Sequence, residues 1–158
     1  MTDEMGNLCA DTYRRIFHVN NAVYTVPPFP NVLETLRLLS QKGYILTIAS
    51  SRSRWSLMEF IETMNLQEHI SYVLGADDVV QAKPHPEPVL KTLEKFGCTH
   101  DEALVVGDTW YDIEMGRRAG VRTCGVTYGN GTREELVNAG ADFLIEDFGE
   151  LLKLAGGK

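Results

Sequence analysis

The chain has 158 residues, of which 44% are hydrophobic and 23% charged, and its formal net charge at pH 7 is −7. These values indicate one globular domain with an ordinary core, and the negative charge argues against nucleic acid or an anionic membrane as the main partner. No apolar run approaches the length of a membrane span, and the first residues lack the features of a signal peptide. The cysteines, Cys9, Cys98 and Cys124, are widely spaced, so we expect reduced thiols in a cytoplasmic protein.

Strand and helix patterns alternate along most of the chain. Apolar, β-branched runs predict five short strands at residues 44–49, 70–74, 103–106, 121–126 and 142–145. Amphipathic spacing predicts helices around residues 32–39, 57–64, 89–96, 113–119, 133–139 and 148–154. Residues 8–17 also look helical, and residues 20–30 look like an irregular connection. The alternation predicts an α/β fold, with a parallel sheet, right-handed crossovers and helices on both faces.

The most informative stretch is an apolar run that ends in Gly107 and Asp108 and is followed, four residues later, by Asp112. The run reads as a buried strand and Asp112 as part of the next helix. Both carboxylates would then lie at the carboxyl edge of the sheet, where α/β proteins bind their ligands, and oxygen-rich sites suit Mg²⁺. The alternative is a helix N-cap at Asp108 with an ordinary first-turn acid at Asp112. This segment alone leaves both interpretations open.

Two further strand ends carry groups that suit a phosphate. The first predicted strand is followed by Ser50, Ser51 and Arg52, where hydroxyls and backbone amides just before a helix would form a phosphate-binding turn. Helix capping by Ser51 or Ser53 is the alternative. After the second strand, three prolines at residues 84–88 fix the backbone next to Lys83, and a rigidly presented lysine suits an anionic group. A surface lysine beside a helix-starting proline is the alternative.

These groups share one predicted edge of the sheet. A phosphate-binding turn, a lysine and two carboxylates placed together make a phosphoryl-transfer site. His85 lies in the proline loop and is either a proton carrier or, more commonly, a structural or surface residue. No single motif is specific, so the prediction rests on their order along the chain and on the edge that they share.

Five segments carry a resemblance to a known family: residues 29–36, 48–52, 83–88, 107–112 and 126–131. Together they resemble the haloacid dehalogenase (HAD) superfamily, in the branch that includes phosphoglycolate phosphatases. The resemblance implies a three-layer, Rossmann-like α/β core. It also implies that Ser50 hydrogen-bonds the transferring phosphoryl group and that Lys83 stabilises this group and the nucleophile. By the same resemblance, Asp108 ligates Mg²⁺ and Asp112 supports the metal site.

One motif of that family is not found in this sequence. The family's nucleophile lies in a pattern like Asp-x-Asp-Gly-Thr on an N-terminal strand, whereas the faintly similar residues 3–8 have only two residues before them and lack the second aspartate. We expect residues 1–28 to be a remnant of the family's helical cap and its linker, and residues 29–158 to be the core. The central first strand of this core would then be missing. Residues 22–26, or a strand exchanged with a second copy in a homodimer, are the candidates to fill its place.

Two functions from different classes fit these features. The first is a Mg²⁺-dependent phosphatase acting on a small phosphorylated metabolite, with the chain as given inactive because the nucleophilic aspartate is absent. The second is a phosphate-binding or protein-interaction module without catalysis on the same fold. We favour the phosphatase, because a module without catalysis has no chemical need for Lys83, Asp108 and Asp112 together.

Overall fold

The computed structural model describes residues 27–156, in which strands and helices alternate. The strands are β1 (Leu46–Ala49), β2 (Ile70–Leu74), β3 (Leu104–Gly107), β4 (Arg122–Val126) and β5 (Phe143–Ile145). The α-helices are α1 (Val32–Gln41), α2 (Arg54–Thr63), α3 (Glu87–Phe96), α4 (Trp110–Arg118), α5 (Arg133–Asn138) and α6 (Leu151–Ala155). Short 3₁₀ turns occupy His100–Glu102 and Phe148–Glu150. None of the helices between residues 27 and 156 is both long and apolar enough to cross a bilayer.

The strands of this region form two separate parallel sheets. In the first, β1 pairs with β2, with Ile48 opposite Val73. In the second, β4 lies between β3 and β5, with Val106 opposite Cys124. Each parallel pair is joined through a helix, as parallel pairing requires. Within residues 27–156 no ladder joins β1 to β3, so the predicted sheet is divided into two parts at this position.

Helices cover both faces of the strands. On one face, α1 and α6 pack against β1, β3, β4 and β5 through a cluster that includes Leu39 and Leu151. On the opposite face, α3 and α4 pack against β1 and β3 through Val89 and Met115. A third cluster packs α2 against α1, β1 and β2. Side chains alternate between the two faces of a strand, and the result is the three-layer α/β/α arrangement expected from the sequence.

The strands and helices predicted within residues 27–156 are present, but most of them begin or end at other residues than predicted. β2 has the predicted bounds, and the other strands begin one or two residues later than predicted. The helix predicted at residues 113–119 begins earlier, at Trp110, because Thr109 and Asp112 form a capping box. The segment predicted as a helix at residues 148–154 begins as a 3₁₀ turn, since the Asp147 side chain accepts a hydrogen bond from the Gly149 amide. The predictions for residues 3–8, 8–17 and 22–26 lie outside the described residues.

Leu136 and Val137 are neighbours on α5 with opposite environments. Leu136 is 0% exposed and lies beside Gly125 of β4, whereas Val137 is 54% exposed. Leu136→Ala should lower the free energy of unfolding by about 3 kcal/mol, because it leaves a cavity that its neighbours cannot fill. Val137→Ala should lower it by about 0.5 kcal/mol or less. Urea denaturation of both variants measures the difference, and equal losses would show that α5 is not packed as described.

Candidate functional site

The closest charged contact of the predicted site joins Lys83 to Asp112. Lys83 Nζ donates a hydrogen bond to Asp112 Oδ1 at 2.6 Å, and the two side chains are only 15% and 10% exposed. The other oxygen, Asp112 Oδ2, accepts from Thr109 Oγ1 at 2.7 Å and from the Thr109 amide at 3.2 Å. Both oxygens of Asp112 are therefore engaged, and the carboxylate holds the lysine in a fixed position.

Gly107 makes this arrangement possible. A Cβ atom at Gly107 would overlap the Cβ atom of Asp112. The end of β3 can therefore approach the first turn of α4 only because residue 107 has no side chain. The glycine of the Gly107-Asp108 motif thus positions Asp112 rather than Asp108.

Asp108 is held by the turn that follows β4. Asp108 Oδ2 accepts hydrogen bonds from the Asn130 amide at 2.8 Å and from Asn130 Nδ2 at 2.9 Å, and its carbonyl oxygen accepts from the Gly131 amide at 2.9 Å. A Cβ atom at Gly129 would overlap the Asp108 side chain, so this turn also depends on a close approach. Asp108 is not the N-cap of α4, because Thr109 takes that position.

Several polar groups of the predicted phosphate-binding turn already have hydrogen-bond partners in the protein. Ser50 Oγ accepts from the Arg52 amide at 3.2 Å, which leaves its hydroxyl proton free to donate. Ser53 is the N-cap of α2, as one alternative expected, and its Oγ accepts from the Ser56 amide at 3.4 Å. The first amide of α2 is also engaged, because it donates to Asp77 Oδ1 at 2.7 Å. Ser51 and Arg52 lie exposed beside this turn.

The predicted site residues meet at one edge but not in one cluster. Lys83 and Asp112 line a cavity of about 130 Å³ whose walls include Ala49 of β1 and Val106 of β3. Ser50 follows Ala49 directly, and Asp108 comes two residues after Val106. The structure therefore brings Lys83 and Asp112 into contact, whereas Ser50 bonds within its own turn and Asp108 bonds to the turn that follows β4.

The loop before Lys83 is held by Glu87, which sequence reasoning missed. Glu87 Oε1 and Oε2 accept hydrogen bonds from the amides of Val80 and Gln81 at 3.0 and 2.8 Å, and Lys91 Nζ lies 2.8 Å from Oε1. The bond from Lys91 and those from the two amides lower the pKa of Glu87 to about 2. The i,i+4 spacing of Glu87 and Lys91 is a local signal for their ion pair. Nothing in the local sequence indicates the two amide bonds, since they join residues six and seven positions apart across a loop.

His85 and Tyr128 have structural roles. The sequence left the role of His85 undecided and did not indicate that of Tyr128. His85 Nδ1 accepts a hydrogen bond from the Glu87 amide at 3.2 Å, which favours the structural role among the alternatives for this histidine. Tyr128 lies beside Asp108 and contacts Phe29, with 4.8 Å between the ring centroids. Burial, and then the negative charge of Asp147, raise the pKa of Tyr128 to about 12, so its phenol stays neutral at physiological pH.

Asp108 is the residue best suited to hold a metal ion. Mg²⁺ commonly binds proteins through one or two carboxylates and takes its remaining oxygen ligands from phosphate and water. Asp108 offers a carboxylate oxygen at the ends of the strands, whereas both oxygens of Asp112 are engaged. Among residues 27–156 no three His, Cys, Asp or Glu side chains form a cluster that could hold a metal by themselves. The residues thus fit a water-rich Mg²⁺ site and not a closed all-protein one.

Fold and site define an α/β protein whose polar site lies at the carboxyl edge of parallel strands. A sequence model of the haloacid dehalogenase-like hydrolase family matches residues 2–126. The chain is 32% identical over 156 residues to pyrophosphatase PpaX of Bacillus pumilus, a match that covers 99% of this chain and 70% of that protein. The chain belongs to the haloacid dehalogenase-like hydrolase family.

Further relatives agree with this assignment. The phosphoglycolate phosphatase of Aquifex aeolicus is 33% identical over 154 residues, which is 98% of this chain and 70% of that enzyme. The phosphoglycolate phosphatase of Salmonella typhi is 33% identical over 128 residues, which is 81% of this chain and 51% of that enzyme. A crystal structure described as a predicted phosphoglycolate phosphatase of Haemophilus somnus 129PT superposes with a TM-score of 0.88 at 26% identity, covering 98% of this chain and 68% of that one. The chain therefore spans between about half and 70% of the length of these relatives.

The Lys83–Asp112 contact should contribute strongly to stability. Asp112→Asn removes the charge that compensates a nearly buried ammonium group, so we expect a loss of about 3 kcal/mol in the free energy of unfolding. Glu114→Gln on the same helix breaks exposed pairs with Arg117 and Arg118 and should cost about 0.5 kcal/mol. Urea denaturation compares the two variants. A loss no larger for Asp112→Asn than for Glu114→Gln would contradict the buried ion pair.

The low pKa of Glu87 predicts a pH-dependent contribution to stability. Because its pKa falls from an ordinary 4.5 to about 2 on folding, ionised Glu87 stabilises the fold fully above pH 4.5, and this contribution is lost as the pH falls towards 2. The difference in thermal unfolding midpoint between wild type and Glu87→Gln should therefore shrink over this range. Glu94→Gln, an exposed position on the same helix, is the control. A difference that stays constant from pH 5 to pH 2 would contradict the assigned contacts.

Proposed function

We propose that this chain carries the phosphate-binding and metal-binding groups of a Mg²⁺-dependent phosphatase that acts on a small phosphorylated metabolite. The observation that carries the proposal is the Lys83 ammonium group, held 2.6 Å from Asp112 at the end of the strands. A nearly buried cation in a fixed position is suited to an anionic substrate and costs little reorganisation when charge develops during reaction.

Each site residue then has a separate task. Lys83 binds the phosphoryl oxygens as a fixed cation, and Asp112 and Thr109 position Lys83. The Ser50 hydroxyl, whose oxygen accepts from the Arg52 amide, donates a hydrogen bond to a phosphoryl oxygen, with Ser51 and Arg52 beside it. Asp108, oriented by Asn130, supplies a carboxylate oxygen to Mg²⁺. When bound, the ion neutralises the negative charge of the phosphoryl group.

The relatives support a small phosphorylated substrate. Two of the proteins compared are phosphoglycolate phosphatases and one is a pyrophosphatase. Both names describe compact, strongly anionic phosphate compounds. We therefore propose an activity like that of phosphoglycolate phosphatase, in the cytoplasm, with neither nucleic acid nor a membrane as partner. The net charge of −7 favours the same exclusion, since it repels polyanions.

We further propose that the 158-residue chain has no appreciable phosphatase activity by itself. Among residues 27–156, three aspartates near the carboxyl edge are engaged by nearby backbone amides, which are those of Arg54 for Asp77, Gly75 for Asp78 and Gly149 for Asp147. Asp112 is engaged by Lys83, and Asp108 is assigned to the metal. None of these five aspartates is thus placed as a nucleophile, and the covalent route through an aspartyl-phosphate lacks its first group among them.

The fixed Lys83 ammonium group is also consistent with a second function. A chain that binds phosphate without a nucleophile would act as a non-catalytic phosphate-binding or protein-interaction module on this fold. The two functions differ in one respect that can be measured. A longer form of the protein that includes an Asp-x-Asp strand should turn over substrate if the first proposal is correct, and should only bind phosphate if the second is correct.

Orthophosphate binding in the presence of Mg²⁺ tests the proposed site. Phosphate with Mg²⁺ should raise the thermal unfolding midpoint of the 158-residue chain, and Lys83→Ala should weaken binding by about 10-fold to 100-fold, because a hydrogen bond to a charged group contributes about 1.5–3 kcal/mol. Asp108→Asn should abolish the dependence on Mg²⁺, and Ser50→Ala should have a smaller effect of about 1 kcal/mol.

Lys153→Ala, at an exposed position on α6, is the matched control and should bind phosphate like wild type. Equal binding by Lys83→Ala and Lys153→Ala would remove Lys83 from the site. Turnover of a generic phosphomonoester by the 158-residue chain is measured in parallel. Robust turnover that Asp108→Asn abolishes would show that a nucleophile is present and that the proposed inactivity is wrong.

A further inference from the structure

The backbone pairing of β1 with β2 continues beyond the ends of the two strands. The Ser50 amide donates a hydrogen bond to the Leu74 carbonyl oxygen at 3.0 Å, and the Ala76 amide donates to the Arg52 carbonyl oxygen at 2.8 Å. Such bonds run in both directions between parallel strands, so the pairing of the sheet extends into both loops. The phosphate-binding turn (residues 50–53) is therefore attached by its backbone to the segment that follows β2.

Asp77 completes this attachment at the start of α2. The amide of Arg54, the first residue of α2, donates to Asp77 Oδ1 at 2.7 Å. The Arg54 side chain follows the same direction, because its Nη1 donates to the Val73 carbonyl oxygen at 2.7 Å and lies 3.5 Å from Asp78 Oδ2. The first amides of a helix have no partner inside the helix. An acceptor from the opposite loop therefore holds the backbone at the point where the turn becomes α2.

Gly75 shows how closely the turn and the opposite loop fit together. A Cβ atom at Gly75 would lie only 2.3 Å from the Arg54 nitrogen, 2.7 Å from Asp77 Oδ1 and 2.8 Å from the Arg52 carbonyl oxygen. These three atoms take part in the hydrogen bonds that join the two segments. No side chain fits between them, so the turn and the loop have little freedom to shift against each other.

The loop that contains Asp77 leads directly to Lys83 and is fixed along its length. Asp78 Oδ2 accepts from the Gly75 amide at 2.8 Å, and the Asp78 carbonyl oxygen accepts from Lys91 Nζ at 2.8 Å. Lys91 also pairs with Glu87, whose carboxylate holds two amides shortly before Lys83. A continuous series of contacts thus joins the start of α2 to the lysine.

We propose that Asp77 is a positioning residue of the phosphate site. Its carboxylate holds the phosphate-binding turn in a fixed place relative to Lys83, so that the Ser50 hydroxyl and the Lys83 ammonium group can contact the same phosphate. The inference rests on the proposed function, which assigns both of these groups to the phosphate. Groups that act together on one ligand lose much of their effect when one of them moves by about 1 Å.

The charge of Asp77 by itself would have the opposite effect. A carboxylate near a bound phosphate repels it, so removing only the negative charge should strengthen phosphate binding. Losing the hydrogen bond to the Arg54 amide should instead release the turn and weaken binding. Asparagine keeps an acceptor oxygen at this position without the charge, whereas alanine has neither. The two substitutions therefore separate positioning from charge.

Titration calorimetry with orthophosphate and Mg²⁺ on the 158-residue chain tests the proposal. Asp77→Ala should weaken phosphate binding about 10-fold, and Asp77→Asn should bind phosphate at least as tightly as wild type. Glu68→Ala removes an exposed acid before the opposite end of β2 and should bind like wild type. Asp77 is itself exposed, so the variants should keep the fold, which circular dichroism checks.

Amide hydrogen exchange without phosphate gives a second, independent readout. In Asp77→Ala the Arg54 amide should exchange at least 10-fold faster than in wild type, because its acceptor is gone, whereas Asp77→Asn should retain the protection. The amide of Ile61, inside α2, should be unchanged in both variants. Unchanged protection of the Arg54 amide in Asp77→Ala would overturn the proposal, as would equal loss of protection at Ile61.

The binding results distinguish failure of this inference from failure of the proposed function. No phosphate binding by the wild-type chain would contradict the proposed function and the inference together. Wild-type binding that Asp77→Ala retains would overturn the inference alone. Tighter binding by Asp77→Ala than by wild type would assign Asp77 to charge repulsion and would also overturn it. A defect shared equally by Asp77→Ala and Asp77→Asn would show that the acceptor oxygen does not carry the effect.

Discussion

The ion pair between Lys83 and Asp112 is the contact on which the carboxyl edge of this protein depends. Lys83 follows β2, and Asp112 lies in the first turn of α4 after β3, so the pair links the two sheets at a place where no ladder of the described region joins them. Removing both charges from water costs solvation energy. Thr109 offsets part of this cost, because it donates two further hydrogen bonds to the same carboxylate.

Small and polar residues around the site hold its side chains in place. Gly107 lets β3 approach Asp112 closely, and Gly129 does the same for the turn that orients Asp108. Glu87 holds the backbone before Lys83 and thereby fixes the approach of the lysine to its partner. Each of these contacts restricts a side chain to one position before any ligand arrives, which lowers the reorganisation needed during binding.

The candidate site lies at the position where the strands of the described region divide into two sheets. Lys83 and Asp112 line the cavity between β1 and β3, and Ser50 and Asp108 directly follow the ends of these two strands. The family assignment rests on the match of the sequence to the family model and to the relatives.

The sequence by itself determined the order of strands and helices, the α/β class and the family, because hydrophobic periodicity and the spacing around Lys83, Asp108 and Asp112 are local properties. It did not determine which carboxylate would bind the lysine. Asp112 and Asp108 look alike in sequence, and only tertiary structure gave one of them to Lys83 and the other to Asn130. The contact of Asn130 with Asp108 joins segments brought together by the fold, so no local pattern predicts it.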